Sequence, residues 1–263
     1  MGVEDGALAV VVQRLRASGS VYAEDEAALL VAEASSPAAL EAMVGQRVAG
    51  LPLEVVVGWA EFCGLRIVSD PGVFVPRRRT ELLVREAVGL VMEGAAPVVV
   101  DLCCGTGAVG VAVHAALVNV DLWSADVEPS AVRCARKNIE PVGGTVLEGD
   151  LFEPLPRSLW GRVDLLLVNA PYVPSGSIAL MPPEARLHEP LVALDGGADG
   201  LDLHRRVAVD ARGWLAPGGS VLIETSRQQA PRTAAVLADN DMVTKVVMSD
   251  ELDATVAIGQ RLR

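Results

Sequence analysis

From Pro97 to the C-terminus, short β-branched apolar runs alternate with stretches of helical period, and that alternation restricts the chain to very few folds. Val98 to Leu102 is apolar apart from Asp101, and Val120 to Asp126, Thr145 to Glu148, Val163 to Asn169 and Ser220 to Glu224 follow it. Helical patterns over about 108–117, 130–139 and 201–215 stand between them, the last closed by the turn Pro217-Gly218-Gly219. Near-continuous apolar strands are buried on both faces, which requires a mainly parallel sheet covered by helices. Val243 to Met248 and Asp253 to Ile258 are joined by too few residues for a helical crossover, so they should pair antiparallel. The expectation is an α/β, Rossmann-like sheet of seven strands with an antiparallel last pair.

The first third reads differently. Residues 5–48 are rich in Ala, Leu, Glu and Val at helical spacing, and Ser36 before Pro37 is an N-cap followed by an N1 proline. Leu51-Pro52 ends that pattern, a hairpin is expected around Cys63-Gly64-Leu65, and helical pattern returns over 76–92 with Thr80 as its N-cap. Three segments result: a helical 1–50, a hairpin and linker helix over 51–96, and a ligand-binding 97–263.

Composition excludes several function classes. With 51% hydrophobic residues the chain has material for a buried core. Its 22 basic against 34 acidic residues, a net charge of −12, lower the expectation of a nucleic-acid partner. No apolar run reaches membrane-spanning length, and the start Met-Gly-Val-Glu-Asp lacks the basic region of a signal peptide, so a cytoplasmic protein is expected. Cys63, Cys103, Cys104 and Cys134 show neither metal-ligand nor disulfide spacing. No metal site is expected.

Two motifs carry chemistry. Asp101 to Gly110 places Gly105, Gly107 and Gly110 between a strand and a helix, where they let a ligand approach backbone N–H groups. The spacing matches a dinucleotide fingerprint, with Asp126 at the next strand end to take a ribose. However, a carboxylate at Asp101 would repel a pyrophosphate and suits a cationic ligand, which favours S-adenosylmethionine over NAD. A turn that merely packs helix on strand is the plain alternative. Asn169-Ala170-Pro171-Tyr172 follows the fourth strand, at the end of the sheet where ligands bind. A side-chain and a backbone carbonyl there can accept both hydrogens of an –NH₂ group, while the plain alternative is a proline turn with a surface tyrosine.

Taken together, Gly50-Leu-Pro-Leu with Gly58, Val75-Pro76-Arg77 with Thr80-Glu81, Asp101 to Gly107, Ala125-Asp126, Gly149-Asp150-Leu151-Phe152, Asn169 to Tyr172, Glu189-Pro190, Gly196-Gly197, Asp199-Gly200-Leu201 and Gly218-Gly219 before Glu224 form a joint pattern. The chain resembles the HemK-type (PrmC) family of class I S-adenosylmethionine-dependent methyltransferases, which act on a glutamine side-chain amide of peptide-chain release factors. The resemblance runs from about Leu40 to the C-terminus. It implies a cofactor site formed by Asp101, Cys103, Cys104, Gly105, Thr106, Gly107, Asp126, Val127, Asp150 and Leu151, with Asn169 shared between cofactor and substrate. It implies a substrate clamp of Asn169, Ala170, Pro171 and Tyr172, a recognition role for the N-terminal helices, and a protein partner.

The chain departs from that pattern in three places. Ala170 replaces the first proline of Asn-Pro-Pro-Tyr, which relaxes the restraint on Asn169. Pro76-Arg77-Arg78-Arg79-Thr80-Glu81 carries a base where the family has an acid. The N-terminal helical part is short. An amino nitrogen of a small metabolite or a nucleobase therefore stands as an alternative acceptor, and a non-catalytic dinucleotide-binding module as a lesser one. Arg77 to Arg79 read either as a solvated face or as a contact for an acidic partner, His114 as a helix-face residue, and His188 and His204 as solvated-loop or helix-cap residues.

Overall fold

The computed structural model describes residues 2–92, 94–181 and 183–263. Four helices open the chain: α1 (Gly2–Ala17), α2 (Ala23–Glu33), α3 (Pro37–Val48) and the short α4 (Leu53–Val57). Ser36 caps α3 by accepting from the Ala39 N–H at 3.1 Å, with Pro37 in the first turn as its fixed φ favours. Leu15, Ala27, Leu30 and Val44 bury a core of their own between these helices. Arg47 locks α3 onto α2 through a bidentate pair with Glu26, at 2.8 and 2.9 Å.

The hairpin follows, β1 (Trp59–Phe62) against β2 (Leu65–Val68), turning at Cys63 (φ 51°) and Gly64 (φ 75°). Two positive φ values in a two-residue turn match the twist of paired strands. Asn138 ties this hairpin to the main sheet: its Oδ1 accepts from Val68 N at 2.9 Å, and its Nδ2 donates to the Val68 and Thr106 carbonyls. Helical geometry returns later than the spacing predicts, as a 3-10 turn over Arg78–Thr80 and then α5 (Glu81–Gly89). Thr80 occupies the N-cap position without capping. Its hydroxyl is engaged elsewhere.

The remaining elements are β3 (Val98–Leu102), α6 (Ala108–Ala116), β4 (Asp121–Asp126), α7 (Pro129–Ile139), β5 (Thr145–Glu148), β6 (Val163–Val168), α8 (Pro183–His188), α9 (Asp202–Trp214), β7 (Leu215–Thr225), α10 (Ala230–Ala238), β8 (Met242–Ser249) and β9 (Ala254–Arg261). The seven-stranded sheet runs β5-β4-β3-β6-β7-β9-β8, parallel except that β9 is antiparallel to both neighbours. Both the strand count and the antiparallel closing pair agree with the sequence pattern. One boundary moves: β7 starts at Leu215, before the expected turn, because Gly218 (φ 88°) absorbs a register jump against β6 between Val163 and Leu165. Apolar side chains fill both faces, α5 to α7 covering one and α9 with Trp214 the other. Strand order reverses at β3 and β6, which opens a crevice at their carboxyl ends.

Candidate active site

A cavity of about 320 Å³ occupies that crevice. Of the residues expected there, Asp101, Cys103, Cys104, Gly105, Thr106, Asp126, Val127, Asp150, Leu151 and Asn169 to Tyr172 all line it. Gly107 does not. It begins α6 with φ 79°, and a Cβ there would lie 2.5 Å from Ile139, so its role is to let α6 and α7 close behind the loop.

One end of the cavity is acidic and rich in backbone donors. Asp126, at the tip of β4, accepts from the Gly105 N–H and the Glu128 N–H at 2.9 Å each, which fixes the carboxylate against the glycine loop. Burial raises its pKa, and those two N–H groups oppose the shift. Asp101 is 1% exposed and accepts from Gly110 N at 3.0 Å. Burial above all, with the nearby Asp126 charge adding to it, pushes its carboxyl up to about 7. Cys103 (φ 55°) and Leu151 (φ 49°) both hold left-handed backbone at the rim. Such residues carry a conformational cost and concentrate at ligand sites. Burial drives the thiols of both Cys103 and Cys104 far above the usual range, which disfavours the thiolate a nucleophile needs.

At the other end stands the segment after β6. Asn169 Nδ2 donates to Thr80 Oγ1 at 3.3 Å, so its Oδ1 is the end left to accept from a ligand. Thr80 is 2% exposed, and its hydroxyl makes this bond in place of the helix cap expected of it. The Tyr172 hydroxyl donates to Glu224 Oε1 at 3.1 Å, and Gln229 Nε2 holds the Tyr172 carbonyl at 2.9 Å. Ala170 is fully buried. Tyr172 is therefore an anchored residue and not a surface one.

Two of the arginines and His204 differ from expectation. Arg77 pairs with Glu189, and Arg79 Nε donates to Glu224 Oε1 at 3.2 Å, so two of the three arginines turn inward onto carboxylates of the same chain. His204 is neither solvated nor a cap: α9 buries it completely, Nδ1 meets Thr233 Oγ1 at 3.1 Å, and burial lowers its pKa to about 4. His114 lies in the last turn of α6 as expected, and His188 ends α8. Glu128, Phe74 and Arg206 also line the cavity without having been singled out in the sequence. Only Glu128 had a local signal, two residues beyond Asp126.

The profile of the "Methyltransferase small domain" family matches residues 64–181. A release factor glutamine methyltransferase of Gloeobacter violaceus is 41% identical over 72% of this chain and 66% of its own length. Another from Mycolicibacterium smegmatis is 36% identical over 82% of this chain and 76% of its own. The chain belongs to the release factor glutamine methyltransferase family. It spans about two thirds of the length of the first of these relatives. A 4-amino-L-phenylalanine/4-methylamino-L-phenylalanine methyltransferase of Streptomyces pristinaespiralis is also similar, 36% identical over 73% of this chain and 67% of its own. Among solved structures, a methyltransferase from Pyrococcus furiosus shares the fold, with a TM-score of 0.56 at 15% identity over 76% of this chain and 90% of its own. Members of this methyltransferase family use S-adenosylmethionine, and the acidic end of the cavity suits that cofactor, which bears an ammonium, a sulfonium and a ribose. Among the described residues no helix is long and apolar enough to cross a membrane, and no group of side chains could hold a metal ion.

Proposed function

We propose that this protein methylates the side-chain amide nitrogen of a glutamine in a protein substrate, a peptide-chain release factor being the acceptor that the names of its relatives indicate. The observation that carries this reading is the aim of Asn169, whose donor end is held by Thr80 so that Oδ1 is presented to a ligand's N–H. Bound S-adenosylmethionine supplies an electrophilic methyl carbon, and the chain's task is then to position the acceptor. An amide nitrogen is a poor nucleophile because its lone pair is delocalised. Asn169 Oδ1 and the Ala170 carbonyl, by accepting its two hydrogens, enrich the nitrogen and aim its lone pair. The proton can leave to water after transfer, so no strong base is needed, and among the described residues no histidine lines the cavity.

A second reading is an amino nitrogen of a small amino-acid-like metabolite. It draws on the Streptomyces pristinaespiralis relative and on Ala170, which stands where the family carries a more restrictive proline. Methyl transfer from labelled cofactor into a cell lysate, separated by size, distinguishes the two. Label in a release-factor band supports the first reading, and label confined to small molecules replaces it with the second.

Within the cofactor end, Asp126 is assigned to the ribose hydroxyls. A charge-assisted hydrogen bond to a buried carboxylate contributes about 1.5–3 kcal/mol. Asp126→Ala should therefore weaken S-adenosylmethionine binding roughly tenfold or more. Calorimetry showing unchanged affinity removes the assignment.

Asp101 makes the same site pH-dependent. Burial pushes its carboxyl up to about 7, whereas a cationic ligand needs it ionised. Cofactor affinity should therefore rise as pH climbs from 6 to 8 and then level off, and binding at pH 6 should release a proton. The sign for the empty protein is the reverse. A raised carboxyl pKa means the fold holds the proton more tightly than the unfolded chain, so stability declines as pH rises toward 7. Titrations in two buffers of different ionisation enthalpy measure the proton directly. An affinity that is flat across this range in the native protein, or equally steep in Asp101→Asn, counts against the role.

A further inference from the structure

The acceptor end of the cavity holds a cation that methyl transfer to a neutral amide does not use. Charged side chains lining the cavity are Arg79, Asp101, Asp126, Glu128, Asp150 and Arg206. Five of them belong to the cofactor end, where Arg206 is held by Asp150 at 2.7 Å. Arg79 stands instead beside Tyr172, next in the chain to the Thr80 that bonds Asn169. Its Nε donates to Glu224 Oε1, the same oxygen that accepts the Tyr172 hydroxyl. Glu224 lies behind it with a side chain 2% exposed and does not line the cavity, whereas the Arg79 side chain is 44% exposed. Arg79 therefore lines the cavity, and its counter-ion does not.

A guanidinium has five N–H donors in a rigid fork. Among the described residues Arg79 interacts with Glu224 and Tyr172 alone, which leaves most of that fork without a partner. An acceptor lacking an anion could return neutral carbonyl hydrogen bonds to this charge but would strip its water without supplying an opposite charge. An acceptor bearing a planar monoanion would satisfy it with two parallel bonds. A dianion such as a phosphate fits less well, because four acids line the same cavity.

We propose that Arg79 is a specificity-determining residue that selects an acceptor carrying a carboxylate close to the nitrogen to be methylated. This rests on reading the Asn169–Tyr172 end as the acceptor site. The carboxylate has two sources, the α-carboxylate of a free amino acid or an acidic side chain flanking a glutamine in a protein. Arg79 also braces Tyr172 through Glu224, so the test must separate recognition from bracing.

Calorimetry on the protein loaded with S-adenosylhomocysteine does so with two probe pairs. One pair is N-acetyl-L-glutamine and N-acetyl-L-glutaminamide, which differ only in the α-carboxylate. The other is a pentapeptide with glutamine flanked by Asp and its counterpart flanked by Asn. The carboxylate member of one pair should bind about tenfold more tightly than its neutral partner, as expected for one charge-assisted contact. The pair that shows the preference identifies the source. Arg79→Gln should abolish the preference, and Arg79→Lys should keep part of it, while loss of bracing alone would weaken both members of a pair equally. If Arg79→Gln loses the S-adenosylhomocysteine site, Arg79→Lys carries the test and must retain the preference. Absence of preference in the native protein, absence of binding by every probe, or a preference that survives Arg79→Gln overturns the proposal. Methyl transfer scored on the same probes keeps the two readings apart. Selective binding without transfer retires the glutamine reading alone, and transfer without selectivity retires the role of Arg79 alone.

Discussion

Asn169→Ala is expected to lower the single-turnover rate of methyl transfer about 100-fold, the order of loss that follows when a reacting group is misplaced by around an ångström. The variant removes the Oδ1 acceptor and also frees Thr80, whose hydroxyl otherwise holds the Asn169 amide at 3.3 Å. Because the loss is one of aim, it falls on the rate of the bound complex more than on cofactor affinity. Thr80→Val is the companion measurement. It keeps Asn169 but releases its donor end, so it should give a smaller loss in the same direction. A native single-turnover rate in Asn169→Ala takes the residue out of the mechanism.

The largest effect on stability is expected from Gly200→Ala. Gly200 has φ 77°, and a Cβ there would overlap the Tyr172 carbonyl oxygen and the Gln229 side-chain amide. Left-handed backbone costs a non-glycine residue roughly 1–2 kcal/mol, and inserting an atom into filled space costs about 1–3 kcal/mol more. Gly161→Ala provides the reference, with φ 71° and nothing within 4 Å of the added atom. The difference in unfolding free energy between the two variants isolates the steric part, and Gly200→Ala should in addition lose acceptor turnover, since Gln229 then releases Tyr172. Equal destabilisation by the two would mean that the overlap with Tyr172 and Gln229 is relieved at no cost.

The sheet was legible because buried parallel strands must be apolar on both faces, and Val98 to Leu102 or Val163 to Val168 can hardly be anything else. The glycine loop and Asn169 to Tyr172 were legible because each sits at a strand end. What could not be read was the pairing between distant positions. Nothing near Thr80 in the chain says that its hydroxyl will meet Asn169, and nothing near Arg79 points to Glu224. His204 was misread for a related reason. It follows a glycine-rich loop, so its surroundings look exposed until α10 brings Thr233 against it.

Those distant pairings also set an order in which the site can come into being as the chain is synthesised. The cofactor end is nearly contiguous: Asp101, Asp126 and Leu151 lie on three consecutive strand ends, β3, β4 and β5. The acceptor end spans the chain, since Arg79 and Tyr172 are both held by Glu224, near the end of β7. A nascent chain that has reached Leu151 already carries the residues of the acidic end, yet it cannot brace Tyr172 until the ribosome has passed Glu224. On the assignment proposed above, the acids of the donor half are written before the brace of the acceptor half is complete.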